Sequence, residues 1–205
     1  MSHQRIFAER LTLHQNQSAM EVLEKMLTYR EFREMEFPDD DPFEYELLNG
    51  ELVRKASPTI RHQRIVRKIS FAIDNYLEQH PLGEVFFAPL DVVLDDVNAP
   101  QPDVFFVSNS RNYILDEEEQ VVIGVPDLVV EIISPGSVKR DRVTKKKIYQ
   151  QFAVPEFWLV DPSNRTVEVF RFQDGHYETF ELVEKTGVVK SAVLPGFEVE
   201  LSKIF

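Results

Sequence analysis

The most unusual residue in the chain is an acid inside an apolar run. Glu131 interrupts Leu128–Ile133, which is otherwise continuous apolar sequence of the kind that forms a strand buried on both faces. A carboxylate in such a strand costs several kcal/mol unless a cation or strong hydrogen-bond donors compensate it. A divalent metal ion and a structural salt bridge would both satisfy this requirement, so Glu131 alone leaves both interpretations open.

A second acid begins another strand that is expected to be buried. Asp103 follows Gln101 and Pro102 and precedes the apolar residues 104–107, so it could converge on Glu131 from a neighbouring strand. Two such carboxylates would require a counter-ion. The chain contains no cysteine, and oxygen-only ligation favours Mg²⁺ or Mn²⁺ over structural zinc. The alternative for Asp103 is an ordinary aspartate at a strand start.

A basic segment supplies the third candidate. Residues 139–153 predict a helix in which Asp141, Lys145 and Tyr149 share one stripe with Ile148 and Phe152, so Lys145 is expected to face the sheet. Lys146 and Lys147 are expected to point towards solvent or phosphate. The alternative for Lys145 is a snorkelling lysine whose stem covers the core while its ammonium reaches water.

Several further polar residues are candidates for supporting roles. His62 lies on the inner stripe of a predicted helix and could transfer a proton or orient a phosphate, although a hydrogen-bonded histidine at a helix start is the more ordinary alternative. Glu46 lies beside a predicted hairpin as a candidate ligand or water-holder, or as an exposed strand carboxylate. Three arginines are candidate phosphate contacts: Arg61, Arg64 and Arg140.

Two acids and a lysine with nearby arginines are the minimum set for metal-assisted phosphodiester hydrolysis. The metal would bind a phosphate oxygen and lower the pKa of an attacking water. The lysine would orient that water or stabilise the charge that develops on the phosphate. No competing nucleophilic triad is indicated, because GxSxG is absent and the histidines have no obvious partners.

The elements that must position these residues follow from periodicity and turn signals. Asn49-Gly50 predicts a hairpin turn, and apolar residues at helical spacing predict a helix over 60–79. The order predicts an α/β fold with a central mixed β-sheet flanked by helices and additional antiparallel C-terminal strands. The predicted helices are 20–36, 60–79 and 139–153, and the predicted strands are 43–48, 51–56, 84–94, 101–107, 126–134, 156–161, 166–172, 176–182 and 197–201.

Length, composition and charge narrow the class of protein. A chain of 205 residues favours one domain, here residues 27–205, preceded by an extension at 1–26 that is expected to be flexible or partner-dependent. The net charge of −12 disfavours a protein that coats DNA, whereas residues 138–147 are locally basic. Without cysteine, signal peptide or apolar span, a soluble, cytoplasmic protein with no membrane partner is expected.

Six motifs together carry a resemblance to a known family. They are YELLNGE at 45–51, SPTIRH at 57–62, QPD at 101–103, PDLVVEIISP at 126–135, DRVTKKKIY at 141–149 and VPEFWLVDP at 154–162. This ordered set resembles the Uma-two family of endonucleases over roughly residues 27–205. That family is similar to the PD-(D/E)xK nucleases, which have a restriction-endonuclease-like fold.

The resemblance implies that Asp103 and Glu131 are metal ligands on adjacent strands. The lysine of the usual pattern would stand two residues after Glu131, where this chain has Ile133. The resemblance therefore implies that Lys145, on the following helix, takes its place. The same residue is selected by the stripe argument.

The combined prediction is a Mg²⁺- or Mn²⁺-dependent endonuclease acting on DNA. Lys145 would be the base or charge stabiliser, and Glu46 an auxiliary acid. Two alternatives stay open: a non-catalytic binding or dimerisation module of the same fold, and a phosphodiesterase acting on RNA or small phosphodiesters. A homodimer is expected, with the aromatic-rich segment 167–172 as a possible dimer edge.

Overall fold

The protein is built on a six-stranded mixed β-sheet. A computed structural model describes residues 26–38, 40–41, 43–55 and 57–205. The strands are β1 (Glu44–Leu48), β2 (Glu51–Lys55), β3 (Gly83–Phe87), β4 (Val92–Val93), β5 (Val104–Ser108), β6 (Leu115–Asp116), β7 (Val121–Ile123), β8 (Leu128–Ile132), β9 (Glu156–Asp161), β10 (Thr166–Gln173), β11 (His176–Glu184), β12 (Val188–Lys190) and β13 (Glu198–Glu200). The helices are α1 (Tyr29–Arg33), α2 (Ile60–Leu77), α3 (Lys146–Gln151) and α4 (Leu201–Ile204), with a 3₁₀-helix at Asn109–Ile114 and a π-helix at Arg140–Lys145.

The strand order of the main sheet is β11-β10-β9-β8-β5-β3. Strands β8 and β9 are parallel, and the other neighbours in this sheet are antiparallel. A parallel pair needs a long crossover connection. Here the crossover runs from residue 133 to 155 and carries the π-helix and α3. The predicted mixed sheet with flanking helices is therefore confirmed.

One face of the sheet packs against α2 and the C-terminal elements. Helix α2 begins at Thr59, whose hydroxyl accepts a hydrogen bond from the His62 amide, and its apolar residues recur at helical spacing. Ile65, Ile69 and Ile73 are buried in one cluster with Trp158 of β9 and residues of β12, β13 and α4. The strong periodicity of this segment explains why the prediction over 60–79 agrees closely with the observed helix.

The crossover covers the opposite face. Side chains alternate along a strand, so Val130 and Ile132 contact the α2 cluster whereas Val129 joins Tyr149 and Phe157 on the other side. Glu131 shares the face of Val129 and hydrogen-bonds to the crossover. The pleat of β8 thus turns this acid towards the helix that bears Lys145.

A separate hairpin brings Glu46 to the same region. Strands β1 and β2 pair across Asn49 and Gly50, whose φ angles of 53° and 72° are those that a type I′ turn requires. The backbones of Leu47 and Ala99 exchange two hydrogen bonds, at 3.2 and 2.8 Å. These bonds tie the hairpin to the segment that leads into β5.

Three predicted features differ from the structure. The strand expected over 84–94 is divided into β3 and β4, and the helix expected over 139–153 begins as a π-helix. The dimer edge expected at 167–172 is wrong, because β10 is paired on both sides, with β9 and β11. Of the helix expected over 20–36, residues 26–36 are described, and only Tyr29–Arg33 of them form a helix, α1. Residues 20–25, like residues 1–25 of the expected extension, lie outside the described residues.

Within the described residues, no helix is long and apolar enough to cross a membrane.

Glu156 at the start of β9 yields a test of how the C-terminal segment is held. Its fully buried carboxylate accepts hydrogen bonds from the Trp158 indole at 2.6 Å and from the amides of Ala192 and Val193. We expect Glu156→Ala to lower the free energy of unfolding by about 3 kcal/mol, because three buried donors lose their acceptor. Urea denaturation measures this, with the exposed Glu184→Ala as a control that stays within about 0.5 kcal/mol of wild type. Equal stability of the two variants would contradict the assigned anchoring role.

Candidate active site

A polar pocket of about 110 Å³ opens where four parts of the chain meet. The start of α2 contributes His62, the start of β5 contributes Asp103, β8 contributes Glu131, and the π-helix contributes Arg140 and Lys145. Ala88 and Pro89, joined by a cis peptide bond, form part of the wall. The structure thus gathers around one pocket residues that are as far apart in the sequence as Glu44 and Lys145.

The Lys145 ammonium is the centre of the site. Its Nζ lies 2.9 and 3.0 Å from the two carboxylate oxygens of Glu131, and 2.9 Å from Oε2 of Glu46. The Tyr149 hydroxyl donates a further hydrogen bond of 2.6 Å to Glu131 Oε1. Lys145 and Glu131 are each only 2% exposed, and Glu46 is fully buried. Lys145 therefore does not snorkel to water, and Glu46 is not an exposed strand carboxylate.

Asp103 is held at the pocket by two donors from different elements. The Ile132 amide donates to Asp103 Oδ2 at 2.7 Å, and His62 Nε2 lies 3.1 Å from the same oxygen. Asp103 directly precedes β5, as a strand-start acid does, and it also has these two partners at the pocket. His62 likewise has a partner that the sequence did not reveal, because the contact joins residues 41 positions apart.

A second layer lies behind these residues. Glu46 Oε2 also accepts a hydrogen bond from the Gln101 amide at 3.3 Å, whereas Oε1 has no hydrogen-bond partner among the described residues. Arg140 Nε lies 3.6 Å from Glu46 Oε1 and 3.7 Å from Asp141 Oδ1. Asp141 is buried and accepts a short hydrogen bond from the Ser137 hydroxyl. Glu46 does not line the pocket itself but contacts Lys145, which does.

Burial and charge shift the pKa values of the central groups in different directions. Burial raises the pKa of Glu131 to about 8, despite the opposing charge of Lys145. Burial would lower the pKa of Lys145, but the carboxylates of Glu131, Glu46, Asp141 and Asp103 together raise it above its ordinary value. Lys145 therefore stays protonated at neutral pH.

Asp103 differs from Glu131 and Asp141 in the direction of its pKa shift. Burial alone would raise its pKa, but the hydrogen bond and charge of His62, the charge of Lys145 and the Ile132 amide together lower it below the ordinary value. The pKa of Asp141 is raised, mainly by burial. Asp103 is therefore ionised across the neutral range.

The donor set is compatible with a divalent cation. Four carboxyl groups (Glu46, Asp103, Glu131 and Asp141) surround two side-chain cations, Lys145 and Arg140, so the fully ionised cluster has an excess of negative charge. Among the described residues, no three His, Asp or Glu side chains form a preformed metal cage. Mg²⁺ commonly uses only one or two carboxylates and keeps its waters, so Asp103 and Glu131, which both line the pocket, suffice chemically.

The predicted phosphate contacts do not all lie at the pocket. Arg140 lines the pocket, whereas Arg61 donates to the Pro162 carbonyl and Arg64 lies in an adjacent groove. Lys147 is exposed as expected. Lys146 is not directed to solvent, because its Nζ lies 3.4 Å from the centre of the Phe170 ring, a cation–π contact.

Two residues have roles that the sequence reasoning missed. The sequence predicts that Tyr149 and Asp141 lie on the inner stripe, but it gives no function for either residue. Each lies four positions from Lys145, a spacing that places side chains on one helical face. Polar residues at these two positions of a buried stripe were the available signal for a shared network.

Comparisons with known proteins agree with this architecture. A family model described as "Uma2: Putative restriction endonuclease" matches residues 29–202. The fold is similar to the crystal structure of "a putative nuclease belonging to DUF820" from Anabaena variabilis ATCC 29413, with a TM-score of 0.70 and 22% sequence identity over 87% of this chain and 97% of the other. No curated protein matches this chain. The restriction-endonuclease-like fold is thereby confirmed.

The burial of Lys145 leads to a prediction about the stability of the fold. We expect Lys145→Met to lower the free energy of unfolding by about 3–5 kcal/mol, because breaking a buried ion pair leaves Glu131 and Glu46 without their cation. The matched control is Lys147→Met, which removes the same charge from an exposed position two residues away and should change stability by less than about 0.5 kcal/mol. Guanidinium denaturation of both variants provides the comparison. A Lys145→Met protein as stable as its control would refute the central ion pair.

Proposed function

Since the chain belongs to the Uma2 family of restriction endonucleases, we propose that it is a metal-dependent endonuclease that hydrolyses phosphodiester bonds in DNA. The observation that supports this most strongly is the pocket in which Asp103, Glu131 and Lys145 converge from two strands and a helix. Its size suits a group such as one phosphate with its waters.

We propose that Asp103 and Glu131 hold Mg²⁺ or Mn²⁺. A bound divalent cation would supply charge neutralisation for the phosphate and a water of lowered pKa. Asp103 suits this role because it is already ionised, and because the Ile132 amide and His62 fix its orientation. Glu131 is directed by Tyr149 in the same way.

Lys145 would stabilise the negative charge that develops on the phosphate during hydrolysis. A protonated amine held on a rigid scaffold costs little reorganisation when charge appears beside it. Glu46 keeps Lys145 protonated and in place from the side away from the pocket, which is our proposal for the auxiliary acid. His62 lines the pocket beside Asp103 and is the candidate for proton transfer, and Arg140 is the candidate phosphate contact.

Two other candidate functions are each supported by one feature of the protein, its net charge or the size of its pocket. The net charge of −12 favours a non-catalytic binding module, in which the acids and Lys145 serve only the fold. The small pocket would equally admit RNA or a small phosphodiester. A homodimer remains a prediction, and its interface would have to lie elsewhere than on β10.

Hydrolysis of DNA is the first test. Purified protein incubated with supercoiled plasmid and Mn²⁺ should nick it, and Glu131→Gln should reduce the rate at least about a hundredfold, as expected when a group that stabilises the transition state is lost. Glu184→Gln, an exposed acid of β11, controls for the change of charge and should cut like wild type. Parallel reactions with RNA and with bis(4-nitrophenyl) phosphate separate the substrate alternatives. If wild type is no faster than Glu131→Gln on all three substrates, the enzymatic proposal fails.

Metal binding is tested independently of turnover. Isothermal titration with Mn²⁺ should show binding to wild type, and Asp103→Asn should weaken it by at least about tenfold, the loss typical of a removed charged ligand contact. Asp174→Asn, at an exposed turn, is the matched control and should bind as wild type does. Absence of Mn²⁺ binding by wild type would favour the non-catalytic module.

A further inference from the structure

A second, larger concavity lies next to the candidate active site. It has a volume of about 740 Å³ and runs between α2 and the edge strand β3. Pro58, Gln63 and Val66 line both this groove and the catalytic pocket, so the two are continuous. An occupant of the groove could therefore enter the pocket without leaving the surface.

The groove exposes apolar and aromatic side chains. Ile60 is 74% exposed, Phe71 67% and Phe87 59%, and all three line this one concavity. A cluster of large exposed apolar residues beside a cleft is typical of a binding surface. The strand that forms one wall, β3, is an edge of the main sheet.

The same groove is basic although the chain is acidic. Helix α2 carries Arg61, Arg64, Arg67 and Lys68 against a single acid, Asp74, in a protein whose net charge is −12. Arg64 and Arg67 line the groove itself together with Asp74, so its lining has two cations and one acid. Both arginines are exposed, and neither has an ion-pair partner among the described residues. Arg67, Lys68 and Phe71 also line a smaller adjoining concavity, where Lys203 adds a further cation and Glu198 an acid.

This combination points to one class of occupant. Proteins bind unpaired nucleic acid with a positively charged groove that follows the backbone and with aromatic side chains on which bases stack. Arg67 and Lys68 follow Arg64 by three and four positions, so each is its neighbour on one side of α2. A duplex would not offer base faces to Phe71, whereas a single strand would. A second copy of the chain, docked symmetrically, would place these arginines against one another.

From these observations, and resting on the proposed nuclease function, we propose that the groove between α2 and β3 binds an unpaired strand of nucleic acid that leads into the catalytic pocket. The arginines contact its phosphates, and Phe71 and Phe87 contact its bases. The enzyme would thus act on a substrate with a single-stranded segment beside the cleaved bond.

Binding in EDTA tests this without any turnover. Fluorescence anisotropy with a labelled 20-nucleotide DNA strand, the RNA strand of the same sequence and the corresponding DNA duplex should show tighter binding of at least one single strand than of the duplex. Arg64→Gln/Arg67→Gln should weaken single-strand binding by at least about tenfold and reduce the slope of log K against log salt by about 1.4, because two phosphate contacts are lost. Phe71→Ala should weaken it by at least about fivefold, the effect of losing one stacked base.

Matched controls separate these effects from general ones. Arg171→Gln/Lys185→Gln removes two charges at the far edge of the sheet, and Tyr113→Ala removes an aromatic ring that is 84% exposed elsewhere. Both should bind as wild type does, and all variants should keep the wild-type thermal transition. Duplex binding as tight as single-strand binding, or groove variants that bind like the controls, would overturn the proposal.

The alternative occupants give distinct results. If wild type sediments as a dimer and Phe71→Ala converts it to a monomer with no effect on nucleic-acid binding, the groove is a protein interface and the proposal is wrong. A protein that binds single strands through the groove but hydrolyses nothing would refute the proposed enzymatic function alone. A protein that cleaves DNA equally well with and without the groove arginines, and binds strands equally, would refute the groove alone.

Discussion

The structure of the site depends on one buried ammonium group. Lys145 neutralises Glu131 and Glu46 at distances of 2.9–3.0 Å in a region from which water is excluded. Neither acid could be buried without it, because an uncompensated carboxylate in the interior costs several kcal/mol. The three groups come from the crossover, from β8 and from the β1–β2 hairpin, so a single charge cluster holds together elements that are distant in the chain.

The same cluster gives its acids different pKa shifts. Burial is the main cause that raises the pKa of Glu131 to about 8, and the neighbouring carboxylates of Asp103, Asp141 and Glu46 add to it against the opposing charge of Lys145. Asp103 escapes this effect because His62 and the Ile132 amide stabilise its charge. Two buried acids therefore have pKa shifts in opposite directions, and the difference arises from their immediate hydrogen-bond donors and charged neighbours.

The sequence predicts those features that depend on local periodicity, or on a single residue whose burial would be energetically unfavourable without a partner. Helix α2, the hairpin at Asn49-Gly50 and the apolar strand β8 follow from spacing alone, and Glu131 is conspicuous because it breaks an apolar run. The inward position of Lys145 also followed from its stripe. The structure places Asp103, Glu131, Lys145 and His62 around one pocket.

Other features could not have been derived from spacing. The His62–Asp103 contact and the burial of Glu46 arise from tertiary packing between elements many residues apart. The short strands β4, β6 and β7 contain only two or three residues and give no periodic signal. The aromatic residues of β10 suit either the interior of a sheet or a protein interface, so the sequence allows both positions for this strand. Only the pairing partners, β9 and β11, show that β10 is an interior strand.

The parallel pairing of β8 and β9 has a consequence for the backbone structure of a related protein that has lost its activity. Parallel neighbours cannot be joined by a tight turn, so some long segment must pass over this face of the sheet whether or not any reaction takes place there. A chain that had lost its chemistry would still keep the crossover, for architectural reasons alone. The path of the backbone in this crossover therefore gives no information about catalysis. Only the polar side chains that the crossover carries can distinguish an active protein from an inactive one.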